Sequence, residues 1–168
     1  QILENYVPDL IVLAGFMRIL SEVFIDKYMG KLINIHPSLL PKYPGLETHK
    51  KVLANKDSVH GVTIHYVDKT LDGGPICAQS QMVVKTNNVN ELEDQIHKIE
   101  HEIYPIVVKK IAEGKIELAL LTGGEALNTQ KNAQRNNINL NWNEITDNNY
   151  ISWGVDKPGW SEIEELHK

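Results

Sequence analysis

Asn34 and His36 stand two residues apart at the end of the apolar run "KLINIH", Lys31 to His36, and a loop stiffened by Pro37, Pro41 and Pro44 follows at once. On a strand, a spacing of two puts both side chains on one face. The amide offers a neutral N–H donor, and the imidazole offers a proton near neutral pH. Together they suit acyl transfer, in which an oxyanion must be stabilised and a proton relayed. An aimed donor can lower the barrier by ~3 kcal/mol, and a positioned acid or base gives ~10²- to 10⁴-fold in rate. The spacing describes equally well a strand end whose Asn and His merely cap loop backbone.

Asp72 is the natural third member, because it sits in "LDGGP", where two glycines let backbone approach a ligand closely. A carboxylate beside the ring would favour its charged, proton-donating form. An ordinary turn aspartate is the competing reading, and Asp68, four residues earlier, competes for the role. Other chemistry-bearing residues fit less well. Cys77 has no nucleophile signature around it and reads as a buried structural thiol. His60 and His65 alternate to opposite faces of one strand, and no CxxC or HExxH pattern exists, so no metal site is expected. His97 and His101 share a helix face, where a surface pair is commoner than a metal. Glu100, beside them, could meet a polar substrate if its end of the helix borders the crevice.

The elements that must position these groups read as α/β. "LIVLAG", Leu10 to Gly15, is an apolar run expected to be a strand buried on both faces. "SEVFIDKYMG" predicts a short helix with Ser21 as N-cap and Gly30 as stop. Lys31 to His36 is the next strand, which completes a right-handed βαβ unit. At the carboxyl end of such a strand lies the crevice in which α/β sheets bind ligands. A helix follows from about Thr48 to Asn55.

"HGVTIHYV" alternates. Val62, Ile64 and Tyr66 take one face, and Gly61, Thr63 and His65 take the other. With "ICAQSQMVV" it predicts an antiparallel hairpin. A long helix runs from about Asn90 to Glu113, with Leu92, Ile96, Ile99, Ile103, Val107 and Ile111 at helical spacing, Pro105 inside and Gly114 at its end. "KIELAL", residues 115–120, reads as a last short strand. Residues 122–149 are rich in Asn and poor in large apolar side chains, which predicts irregular structure. Trp142, Trp153 and Trp160 suggest that parts of this tail dock.

The 168 residues amount to one domain, here divided at 1–121 and 122–168, with 42% hydrophobic and 23% charged residues and a net charge of −5. That balance argues against nucleic acid or an anionic membrane as partner. No apolar run approaches a membrane span, and Gln1 to Pro8 does not read as a signal peptide. A single cysteine gives no reason to expect an oxidising compartment, so the expected location is the cytoplasm. The chain opens on Gln1 and its first clear element reads as an interior strand, so it is expected to be a fragment without its true N-terminal part.

"AGFMRIL", "NIHPSLLPKYPG", "HGVTIHYV", "LDGGP" and "EHEIYP", from Pro8 to Leu118, resemble the phosphoribosylglycinamide formyltransferases in order and spacing. The resemblance implies a Rossmann-like formyltransferase fold, a mostly parallel sheet flanked by helices. It implies Asn34, His36 and Asp72 as catalytic trio: oxyanion stabiliser, proton donor, and the acid that orients and supports the ring. It implies that Met17, Arg18, Ile19 and Leu20 line a folate pocket together with Asn34, and that Asp68, Lys69, Thr70, Leu71 and Asp72 hold the pteridine head. Glu100 and its neighbour His97 would contact the nucleotide substrate. Thr63 and His65, facing the site by the alternation, would support the trio from behind. The substrates implied are glycinamide ribonucleotide and 10-formyltetrahydrofolate, with no metal, and a homodimer is left open.

The family also begins with a glycine-rich turn that cradles the substrate phosphate at a helix N-terminus, which this sequence does not contain. That predicts weak nucleotide binding, and turnover below that of an ordinary member of the family, for the chain alone. Two other folate readings share the trio: a formyltransferase acting on methionyl-tRNA or an amino sugar, and a formyltetrahydrofolate deformylase. A different class, a non-catalytic folate-binding remnant or interaction module, also stays open.

Overall fold

The computed structural model describes residues 3–114 and 150–153. After a 3-10 turn at Leu3–Asn5 come β1 (Ile11–Leu13), α1 (Glu22–Lys27), β2 (Leu32–His36), α2 (Thr48–Ala54), β3 (Val59–Tyr66), β4 (Ile76–Val83), α3 (Val89–Ala112) and β5 (Tyr150–Trp153). The strands form one sheet in the order β1-β2-β3-β4-β5.

Local chemistry sets the ends of these elements. Ser21 caps α1, its side chain accepting from the Phe24 N–H at 3.3 Å, and Gly30 turns the chain at φ 77°. Asn88 caps α3 by accepting from the N–H groups of Asn90 and Glu91. Ile96, Ile99, Ile103 and Val107 bury one stripe of α3 against Ile33, Ile35, Val62, Ile64 and Tyr66 of the sheet, and Leu92 continues the buried stripe toward the helix N-terminus. Ile111 is only partly buried at the end of that stripe. Each fully buried Ile or Leu contributes about 2 kcal/mol by area removed from water. The Tyr104 hydroxyl sits 2.7 Å from the Leu13 carbonyl and 3.2 Å from that of Ile33, tying α3 to β1 and β2.

The expected α/β arrangement and its βαβ unit are present, with β1 and β2 parallel. The other three pairings are antiparallel, so among the described strands the expected parallel character belongs to the βαβ unit alone. For β3 and β4 the connection dictates this, since residues 67–75 are too few for a crossover, which takes about a dozen or more. The β3–β4 hairpin is as the alternation predicts. β1 departs from its expectation of burial on both faces. It is an edge of the described sheet, three residues long, and Val12 keeps 43% of its surface exposed. Residues 150–153 pair with β4 through Ala78↔Trp153 and Gln81↔Tyr150, so this part of the tail joins the sheet. The strand expected at 115–120, the Asn-rich stretch 122–149, Trp142 and Trp160 lie outside the described residues. Among the described residues no helix is long and apolar enough to cross a membrane.

The registers Asn34↔His65 and His36↔Thr63 give the sheet its second face. Antiparallel partners share a side, so these four polar residues lie together, opposite α3.

Candidate active site

His36 is almost fully buried at the end of β2. Its Nε2–H donates to the Tyr43 carbonyl at 2.9 Å, and its Nδ1 lies 3.4 Å from Asp72 Oδ2, an ion-pair distance. A backbone carbonyl only accepts, so the hydrogen is on Nε2, and Nδ1 is the nitrogen that faces the carboxylate. Asp72 reaches the ring because the β3–β4 connection folds back over the sheet face. The same Oδ2 accepts from the Gly45 N–H at 2.8 Å. Asp72 takes a left-handed φ of 50°, and Gly74 lets the loop pass against β3. A Cβ on Gly74 would lie 1.9 Å from the Tyr66 carbonyl oxygen.

His65 links the third member. Its Nδ1–H donates to the Tyr66 carbonyl at 2.9 Å, which leaves Nε2 as acceptor for the Asn34 amide at 3.5 Å. Burial pushes the His65 ring below the ordinary histidine range, against weaker opposing pulls from the Tyr66 carbonyl and Asp72, so it stays neutral. Its Nε2 is also 3.8 Å from Asp72 Oδ1. Asn34, His65, Asp72 and His36 thus form a connected patch. One amide hydrogen of Asn34 is directed to His65, and among the described residues the other has no hydrogen-bond partner.

Thr63, on the same face, does different work. Its hydroxyl donates to the Ser38 carbonyl at 2.7 Å and accepts from the Leu40 N–H at 3.0 Å and from Gln79 Nε2 at 2.8 Å. It anchors the loop after His36 and hydrogen-bonds to none of the trio. Asp68, the competitor for the acid role, instead turns its own loop by accepting from the Thr70 N–H and hydroxyl. Lys69 binds Asp26 of α1 at 2.8 Å, fixing that loop against α1.

Met17 and Ile19 are 84% and 97% exposed in the loop after β1, and Leu71 is exposed too, so these apolar side chains are free to meet a ligand. The β1 and β2 strands are parallel, so the loop of Met17, Arg18, Ile19 and Leu20 leaves the sheet at the same end as the loop after His36. Glu100 is half-buried on α3, 3.9 Å from His97, and among the described residues no hydrogen bond or ion pair joins either of them to the trio. Burial raises the Glu100 carboxyl, with His97 and His101 pulling it back. Cys77 is buried, its thiol pushed up to about 12 by that burial, so it is inert as a nucleophile. Among the described residues no cluster of three His, Cys, Asp or Glu side chains could hold a metal ion. Sequence reasoning missed the two backbone groups that brace the pair, the Tyr43 carbonyl and the Gly45 N–H. The stiff "KYPG" was their visible trace, but a main-chain contact leaves no residue type to read.

Residues 1–108 match the family described as Formyl transferase. The Escherichia coli (strain K12) protein named phosphoribosylglycinamide formyltransferase is 46% identical over 117 residues, covering 69% of this chain and 55% of that one. The Bacillus subtilis (strain 168) protein of the same name is 43% identical over 104 residues, covering 61% of this chain and 53% of that one. Among solved structures, phosphoribosylglycinamide formyltransferase from Anaplasma phagocytophilum superposes with a TM-score of 0.68 at 41% identity, over 71% of this chain and 59% of that one. The chain spans about half the length of the curated relatives it matches.

Proposed function

This chain belongs to the formyl transferase family, and from that premise we propose that it supplies the acid and amide groups that pass a formyl group from 10-formyltetrahydrofolate to the amine of glycinamide ribonucleotide. The amine nitrogen bonds to the formyl carbon as the carbonyl π pair moves onto oxygen. The Asn34 amide N–H meets that oxyanion, with His36 beside it. Collapse restores the C=O bond and breaks the bond to N10 of the folate. N10 takes one proton and the amine nitrogen loses one, His36 acting as the proton carrier. Asp72 orients His36 and faces the charge that the ring bears while it carries the proton. Proximity contributes as well, since both substrates must be held together for the attack.

The loops of Met17 to Leu20 and Asp68 to Asp72 are assigned to the folate, and Glu100 with His97 to the nucleotide. The observation that carries the reading is the 3.4 Å approach of Asp72 to His36 on the face shared with Asn34. The test is a formyl-transfer assay following folate absorbance, with each substrate omitted in turn. Asn34→Ala is expected to lower turnover by ~10²- to 10³-fold. Folate consumption that continues at full rate without the amine would establish a deformylase instead.

A further inference from the structure

The three-residue stretch Tyr43 to Gly45 touches both working groups. The Tyr43 carbonyl accepts from His36, and two residues on, the Gly45 N–H donates to Asp72. This brace needs its own support. Tyr43 sits at φ 56°, in the left-handed region that a bulky side chain adopts only when its surroundings hold it there. The support is its phenol, which donates to Asp57 Oδ2 at 2.8 Å and accepts from Asn55 Nδ2 at 2.8 Å. Both partners follow α2, on a segment fixed by the Asp57 N–H to the Val52 carbonyl at 3.1 Å. The Asp57 carboxylate is 18% exposed, with Lys42 Nζ at 3.4 Å as its cation.

We infer that Asp57 and Asn55 are positioning residues for His36: through the Tyr43 phenol they fix the Tyr43 carbonyl, which holds the imidazole with Nε2 protonated and Nδ1 turned to Asp72. A ring nitrogen is fixed by the hydrogen bond its other nitrogen makes, and here that bond goes to a carbonyl whose place depends on a side chain outside the site. The catalytic consequence rests on the proposed role of His36, but the tautomer does not.

The test is therefore run in two arms on the whole chain. In the first, ¹⁵N NMR of the neutral His36 ring, assigned by its loss in His36→Gln, reports which nitrogen carries hydrogen. The native chain is expected to show the Nε2–H form, and Tyr43→Phe and Asp57→Ala a mixture of both tautomers. In the second arm, both variants are expected to lose about tenfold in kcat for formyl transfer, with KM values within twofold of native. A tautomer change without any transferase activity in the native chain upholds the positioning and overturns the proposed reaction. An unchanged His36 spectrum in folded Tyr43→Phe overturns the inference. If that variant does not fold, Asn55→Ala, at an exposed position, serves in its place. It is expected to give a smaller shift in the same direction, and no shift at all overturns the inference equally.

Discussion

At the scale of single residues, the site separates side chains that face the reaction from those that hold them. Thr63 is the informative case, because its position on the site face made it look like a supporter of the trio. Its hydroxyl instead satisfies two loop groups, from Ser38 and Leu40, and the Gln79 amide of β4 at once. Thr63→Val keeps the shape and removes all three bonds, leaving a buried Leu40 N–H without its partner, at a cost of about 1–3 kcal/mol. The loop it releases carries Tyr43. Thr63→Val is therefore expected to lower both the denaturant midpoint and kcat, measured on the same preparation. A loss of stability alone would show that the loop keeps its place without this hydroxyl.

At the scale of elements, the decisive feature is a connection rather than a strand or helix. The β3–β4 loop must return over the sheet to bring Asp72 to His36, and it does so by pressing Gly74 against the Tyr66 carbonyl. Backbone on both sides of that contact cannot yield as a flexible side chain could, and the Tyr66 N–H is bound to the Pro75 carbonyl at 2.8 Å. Gly74→Ala is expected to push the loop outward, lengthen the Asp72–His36 approach and cost roughly 2–3 kcal/mol. Urea unfolding measures the stability loss, and a kcat deficit well beyond that of a core variant of similar cost away from the site, such as Ile103→Ala on α3, marks the displaced carboxylate. Native stability in the Gly74→Ala variant would mean that the loop has slack at this point.

At the scale of the whole molecule, acid should weaken the fold. His60 is buried, and its ring is lowered to about 4 by burial, with a smaller contribution from His49, 3.0 Å away. His49 and His65 are lowered as well, both chiefly by burial. Below the ordinary histidine value of about 6.5 the unfolded chain takes up protons that the folded chain refuses. Stability is therefore complete above about pH 6.5 and falls as pH drops toward 4. His60 alone accounts for on the order of 3 kcal/mol across that window. Chemical unfolding midpoints measured at about pH 7, 6 and 5 are expected to decline, and His60→Gln to flatten part of the slope. A midpoint independent of pH over that range would contradict the assignment.

Read by itself, the sequence determined what depends on neighbours along the chain. The helical stripe from Leu92 to Val107, the Ser21 cap and the alternation of Val62, Ile64 and Tyr66 follow from local spacing, because periodicity and capping are local physics. The Asn34–His36 pair is local in the same sense, since a spacing of two on a strand fixes a shared face. Tertiary structure decided what depends on chain return. Nothing in "LDGGP" says that its carboxylate, rather than that of Asp68, arrives at His36 from a loop beginning near the other end of β2. Nothing in Thr63 distinguishes a loop anchor from a site residue, and nothing in Asp57 announces its link to Tyr43. Those contacts join residues 14 to 36 positions apart, and pairing register and loop path, which only the folded chain has, choose between equally suitable partners.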